Sequence, residues 1–231
     1  MTVLLVAAEP REFAGLLRLS GAAERLSWPV EWARRAVCSG GEFVMVANGA
    51  GHARAGAATA VALERTAPGA VVSFGFCGAL DPSLGVGDVF AATAVEAGER
   101  RLPAVLPGSE RRYSTGVLAS IGRVAQTAVE KAALRAAGAD AVEMEAFGVA
   151  EQAAGAGLPF FCVRSVTDLA GESFALDLNS ALQEDGHFAT MLLLRDLTTR
   201  PGDAAPELFR LWKRCRIAAR SLGEFVADCR F

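Results

Sequence analysis

Short, almost wholly apolar runs recur along this chain, and each breaks off in a glycine or acidic turn. Thr2 to Ala8 ends at Glu9-Pro10, Glu42 to Ala47 at Asn48-Gly-Ala-Gly51, Ala70 to Phe74 at Gly75-Phe-Cys-Gly78, and Leu158 to Val166 at Thr167-Asp168. A strand that is apolar on both faces must be covered on both, as parallel strands between helices are. Helical spacing fills the intervals. Phe13, Leu16 and Leu17 begin one helix, Ala53 to Thr66 is an Ala-rich second one stopped by Pro68-Gly69, and Thr127 to Ala137 is a third. A fourth is predicted from Val142 through Met144, Phe147 and Val149 to about Ala154, ended by Gly155 and Gly157. Further strands are expected at Val89 to Val95, behind the turn Gly85-Val-Gly87-Asp88, and at Gly116 to Ser120. Ala97 to Tyr113, with Pro103, Pro107 and Gly108, reads as a surface loop. From Pro206, an apolar stripe through Leu211, Trp212, Cys215, Leu222 and Phe225 predicts an amphipathic helix over about 206–229.

The pattern therefore describes one α/β domain over residues 1–231, with a central sheet covered on both faces. With 52% hydrophobic residues and a mean hydropathy of +0.30, the chain is a globule rather than a disordered or fibrous polymer. Its net charge of -3 supplies no basic field for a phosphate backbone, so nucleic acid is not an expected partner. No apolar run reaches the roughly 18–20 residues of a spanning helix, because Glu9, Arg11 and Glu12 interrupt the first one, so neither a membrane span nor a secretory signal is expected. The 5 cysteines are scattered, without a C-x-x-C pair, which fits reduced thiols in a cytoplasmic setting. With only His52 and His187 as imidazoles, the sequence supports no metal site, and no cofactor is implied.

Ligands of open α/β sheets gather at the carboxyl ends of strands, so the polar residues that end the buried runs are the candidates. Four places qualify: Glu9 to Glu12, Asn48 to Gly51, Gly75 to Gly78, and Thr167 with Asp168. A fifth, Glu143-Met-Glu145, lies at a helix start in an apolar context, so that Glu12, Glu145 and Asp168 come from distant segments expected to lie close in space. Each also has a plain structural reading. Glu12 serves as well as a first-turn acid complementing the helix dipole, and Asp168 as a turn residue. Glu143 and Glu145, two apart at a helix start, point in different directions, so only one of them is expected to be buried. The glycine turns match neither G-x-G-x-x-G nor a P-loop. His52 beside a glycine turn reads as a structural hydrogen-bonder, and His187 lies in a polar stretch. Ser73, Ser165 and Cys77 lack a histidine partner, and no G-x-S-x-G elbow is present, which argues against acyl transfer.

The order of these pieces resembles the nucleoside phosphorylase and methylthioadenosine/S-adenosylhomocysteine nucleosidase superfamily over nearly the whole chain. The motifs are Ser73-Phe-Gly-Phe-Cys-Gly-Ala79, Leu84-Gly-Val-Gly-Asp88, Val142-Glu-Met-Glu-Ala146 and Pro159-Phe-Phe-Cys-Val-Arg-Ser-Val-Thr-Asp168. Lys131-Ala-Ala-Leu134 and the tail Arg195 to Arg220, with its Arg-Pro-Gly turn, make it most similar to the hopanoid-associated phosphorylase group.

The resemblance implies a three-layer α/β/α fold with a central mixed sheet and cleavage of the N-glycosidic bond of a purine nucleoside, adenosine-type first and futalosine-like next. By the same resemblance Asp168 is the acid that protonates the leaving base, and Glu145 accepts the ribose hydroxyls. Met144 packs on the sugar, and Glu12 orients and deprotonates the attacking water. Gly75, Phe76, Cys77 and Gly78 are counted with the substrate-binding turn, and Val124 and Ala125 fall near the base-stacking segment. Ser73 and Phe76 stand where phosphorylases commonly have Arg and Ser, so charge complementarity favours water over phosphate. Arg11, Arg54 or an arginine from another subunit are the alternative anion ligands. Phosphorolysis of a nucleoside such as an adenosyl-hopanoid, or nucleoside binding without turnover, remain the competing readings. The expected partner is a small-molecule nucleoside, and a homo-oligomer is expected. The basic residues Arg210, Lys213, Arg214, Arg216 and Arg220 beside the C-terminal stripe match an interfacial helix that touches a membrane surface, or one that packs on its own domain or a second subunit.

Overall fold

The computed structural model describes residues 1–39, 41–183, 185–189 and 201–231, and within that set the side chains of all but 201 and 203. At the centre of the sheet, β1 (Thr2–Ala7) runs parallel to β4 (Gly41–Ala47) on one side and to β5 (Ala70–Ala79) on the other. β3 (Trp32–Cys38) and β2 (Glu24–Arg25) extend this end in antiparallel fashion. Beyond β5 the sheet does not stay open. β10 (Phe160–Asp168) lies parallel to β5, then follow β6 (Val89–Ala97), β8 (Ser114–Ser120) and β9 (Ala141–Glu143), and β9 returns to β5 at Gly78 and Ala79. The mixed sheet is thus open at one end and closed into a five-stranded ring at the other.

Helices cover both faces, which makes the three layers. α2 (His52–Arg65) and α4 (Ala146–Gly155) set Ala55, Ala58, Ala62, Val149 and Ala153 against Leu4, Val6, Val44 and Val46. On the other face α1 (Ala14–Leu19) and α6 (Pro201–Ala227) bury Leu16, Leu222, Phe225 and Val226 against Leu5, Met45, Val72 and Phe74. The two helices touch backbone to backbone, because a Cβ added at Gly223 would collide with the main chain of Gly15 and Leu16. α3 (Ala128–Ala136), opened by the Thr127/Glu130 capping box, and the short α5 (Leu178–Ala181) complete the fold.

Several elements differ from the sequence expectation. Residues 141–143 form β9, and α4 starts only at Ala146, because the Glu143 carboxylate accepts the N–H groups of Glu145 and Ala146 and so caps the helix from within the preceding strand. The expected loop from Ala97 to Tyr113 contains β7 (Arg100–Pro103), an edge strand on β6. β3 was not foreseen, since its arginines interrupt the apolar alternation. The last helix begins at Pro201 and holds Pro206 inside it, at the loss of one backbone donor. Of the tail motif, Arg195 and Arg200 lie outside the described residues, and Pro201 and Gly202 are already helical. Among the described residues no helix is long and apolar enough to cross a membrane.

Candidate active site

The site grows from one interruption in the sheet. β5 pairs with β1 through Ala70–Ser73 and with β9 only from Gly78, so on that edge the stretch between has no strand neighbour. The Phe76 N–H in this gap donates instead to Glu12 Oε1 at 3.0 Å. Glu12 comes from the turn Pro10–Phe13 that follows β1, and its Oε2 accepts the Glu9 N–H at 2.9 Å. Glu12 therefore caps its own turn and also lines a cavity. Burial raises its carboxyl above the ordinary range, against the lowering effects of the Glu9 N–H and the Arg164 charge.

Arg164 is the centre of this arrangement. It lies in the middle of β10, is 0% exposed, and reaches Glu143 Oε2 at 2.6 Å and Ser73 Oγ at 2.5 Å through Nη2. Its Nη1 is 3.7 Å from Glu145 Oε2. Gly75 makes room for this, because a Cβ there would lie 2.6 Å from both Arg164 Nη1 and Glu12 Oε1. Burial opposes the guanidinium charge, but the carboxylates around it, Glu143 first, more than offset this and hold it cationic.

The expectation that only one of Glu143 and Glu145 is buried does not hold: both are 6% exposed. The reason is the break between β9 and α4, which removes the helical spacing on which the expectation rested. Glu145 Oε1 accepts the Gly51 N–H at 3.1 Å, at the amino end of α2 where the dipole favours a carboxylate. Its carboxyl is pushed well up by burial and then by the neighbouring Glu143 charge, with Arg164 opposing.

Asp168 closes β10. Its Oδ2 receives Lys131 Nζ at 2.5 Å, and its Oδ1 receives the Thr167 hydroxyl at 3.0 Å. Burial raises its pKa, and Lys131 is the main opposing influence.

Glu12, Glu145 and Asp168 face one cavity of about 850 Å³, together with Met144, Phe76, Cys77, Gly78, Val124 and Ala125. Gly75 does not line it and lies beneath, between Arg164 and Glu12. A further wall comes from α6, through Leu208, Leu211, Trp212 and Cys215, with Arg216 and Arg220 beside them. The Cys77 thiol on the cavity wall is pushed up by burial and is not primed as a nucleophile. His52 hydrogen-bonds Ser120 at 2.8 Å and stays outside the cavity, whereas His187 lines it and meets Glu31 at 2.7 Å. Of the arginines considered as anion ligands, Arg11 pairs with Glu9 at 2.8 Å and Arg54 with Glu31 at 2.6 Å.

Sequence reasoning passed over two buried cations, Arg164 and Lys131. Arg164 had a signal: a charge inside an apolar strand must find buried partners. Lys131 stood out only as part of the Lys131-Ala-Ala-Leu134 motif, with nothing to mark it as buried, because a lysine on a helix normally reaches solvent.

Chemically, three carboxyls with raised pKa values around one partly apolar cavity suit acid and base roles on a single ligand. A family model described as the phosphorylase superfamily matches residues 4–114 and 100–195. The 5'-methylthioadenosine/S-adenosylhomocysteine nucleosidase of Anoxybacillus flavithermus is 28% identical over 180 residues, 63% of this chain and 75% of the relative. That of Bacillus subtilis is 27% identical over 186 residues, 68% of this chain and 80% of the relative. Among solved structures, the Neisseria meningitidis nucleosidase in complex with methylthio-immucillin-A superposes with a TM-score of 0.74 at 20% identity, covering 98% of this chain and 97% of that one. Futalosine hydrolase of Helicobacter pylori superposes with a TM-score of 0.73 at 16% identity, covering 99% and 96%.

Proposed function

Because the chain belongs to the phosphorylase superfamily, we propose that its cavity breaks the N-glycosidic bond between a purine and a ribose, with water as the nucleophile and free base as the product. The observation that carries this reading is the convergence of Glu12, Glu145 and Asp168 on one cavity while the charge of Arg164 is already matched by carboxylates. An attacking phosphate dianion would meet Glu12 there, with Ser73 already bonded to Arg164. Water meets a base instead.

Asp168, at the end of β10, gives a proton to the leaving base, and burial, which raises its pKa, lowers the cost of its carrying that proton. Glu145 accepts hydrogen bonds from the ribose hydroxyls, and these strengthen as the sugar gains oxocarbenium character. Glu12 takes a proton from water, and a raised pKa makes its carboxylate a better base than an ordinary glutamate. Met144 and Phe76 pack on the ligand. The relatives are named for 5'-methylthioadenosine and S-adenosylhomocysteine, and Leu208, Leu211 and Trp212 of α6 offer apolar contacts to the 5' substituent of an adenosine.

The exposed start of α6 is part of the same proposal as a contact with an anionic membrane surface. Phe209 and Trp212 stack at 5.9 Å in solvent, Arg216 lies 4.7 Å over the Trp212 ring, and Arg210 and Lys213 are neighbours. The rest of the stripe, Leu222, Phe225 and Val226, packs on the protein's own sheet. Salt-sensitive sedimentation with anionic liposomes is expected, and binding that is absent at both low and high salt removes the idea.

The deciding experiment incubates the protein with a panel of 5'-substituted adenosines in phosphate-free buffer. Adenine and a reducing sugar are expected, and Glu12→Gln should lose nearly all of the activity. Strict dependence on phosphate with a sugar 1-phosphate as product overturns the choice of water. Tight binding without release of base overturns catalysis.

A further inference from the structure

Lys131 is a buried cation that the scheme above leaves without a task. It is 1% exposed, and its Nζ lies 2.5 Å from Asp168 Oδ2, 2.9 Å from the Leu169 carbonyl oxygen and 5.3 Å from the centroid of the Phe174 ring. Two of these neighbours accept hydrogen bonds from the ammonium group, and the third offers it an aromatic face. Lys131 is not among the residues that line the cavity, so it meets Asp168 from behind. If its charge were its only property, it would work against the reaction, because a cation in contact with a carboxyl favours the ionised form and strips the acid of its proton. Nor is it a surface lysine that happens to touch a carboxylate, since burying an ammonium is costly unless it is paired. The conflict disappears when the proton belongs to the pair.

We propose that Lys131 is a positioning residue that stores the proton which Asp168 delivers to the leaving base. The inference rests on the glycosidase reading and adds the source of its proton. In the resting protein Lys131 is an ammonium and Asp168 a carboxylate. When a nucleoside fills the cavity and excludes water, the N–H bond at Nζ breaks and an O–H bond forms at Asp168 Oδ2, which neutralises both groups. As the bond from C1' to the base breaks, its electron pair goes to the purine, and the proton passes from Asp168 to a ring nitrogen. Water loses its proton to Glu12. After release of the products, Lys131 regains a proton from solvent and Glu12 returns one.

Other charges near the pair are already matched. Glu172, after β10, is held by Arg214 of α6 at 2.6 and 2.9 Å. Glu143 of β9 is held by Arg164, and Glu130 of α3 by Arg123. Cys77 of β5 and Cys215 of α6 are thiols pushed up by burial. Among the described residues, Asp168 is the one carboxylate bonded to Lys131 Nζ.

The test is the pH profile of base release from the wild type, Lys131→Met and Lys131→Arg. With the proton shared by the Lys131–Asp168 pair, wild-type activity should be lost only where the pair as a whole gives it up, and so should hold above neutrality. Lys131→Met leaves Asp168 to titrate alone, so it should match the wild type within about threefold near pH 5, then fall about tenfold per pH unit, to at least about 30-fold below it near pH 8.5. Lys131→Arg keeps the charge but cannot yield a proton, so it should be slow at every pH, by about 30-fold or more. A loss in Lys131→Met that is the same at all pH values means a merely structural lysine and overturns the proposal. So does full activity of Lys131→Arg near pH 8.5, or a wild-type alkaline limb below neutrality, which decides the matter even where a variant fails to fold. A wild type that releases no base at any pH overturns the glycosidase reading, and this inference with it.

Discussion

The guanidinium of Arg164 and the carboxylate of Glu143 lie 2.6 Å apart, and both side chains are buried. The pair joins β10 to β9 across the closed end of the sheet, and Glu143 also caps α4, so one carboxylate fixes the position of Glu145 two residues on. The two cavity walls that carry Asp168 and Glu145 are thereby tied to a single ion pair.

Removing one partner of a buried pair leaves the other charge without compensation. Glu143→Ala should cost about 3–5 kcal/mol of stability in urea unfolding. A loss under about 1 kcal/mol would show that Glu12 and Glu145 satisfy Arg164 between them.

Asp168→Asn keeps the shape of the side chain but removes the proton donor. Turnover should fall by about two orders of magnitude or more, with the melting temperature preserved. Near-normal release of base by this variant would show that the acid lies elsewhere.

Glu145→Gln tests contact with the sugar. Ribosides should slow far more than 2'-deoxyribosides, because the bond lost is the one to the hydroxyl the latter lack. Equal penalties on both would mean that Glu145 does not touch the 2' position.

The carboxyls also shape stability against pH. Glu12, Glu145 and Asp168 have folded pKa values above their ordinary 4.5, 4.5 and 3.8, so the folded state binds more protons than the unfolded one over those windows. Stability should therefore rise as pH falls from neutrality towards 4.5. Glu172, lowered from 4.5 to about 2 by its hydrogen bonds to Arg214, acts with the opposite sign, and its contribution is lost as pH falls through that interval. Urea titrations should place the maximum on the acid side of neutrality, and Glu145→Gln should flatten the slope above it. Stability that increases steadily up to pH 8 would contradict the raised values.

The sequence by itself determined the layered α/β architecture, because runs that are apolar on both faces leave a chain few alternatives to a sheet between helices. It also singled out Glu12 and Asp168, which stand where a buried run gives way to a turn, and Glu145, a carboxylate at a helix start in an otherwise apolar context. What it left to the tertiary structure follows from long-range pairing. The closure of β5, β10, β6, β8 and β9 into a ring depends on which strand edges meet, and local pattern carries no record of that. The burial of both Glu143 and Glu145 required the break between β9 and α4, which Glu143 itself makes by capping. The partners of the two buried cations were equally invisible: Arg164 lies 91 residues from Ser73, and Lys131 37 residues from Asp168. A side chain's type limits what it can pair with, but only the folded chain decides which charge stands beside it in a space without water, and there the electrostatic consequences are largest.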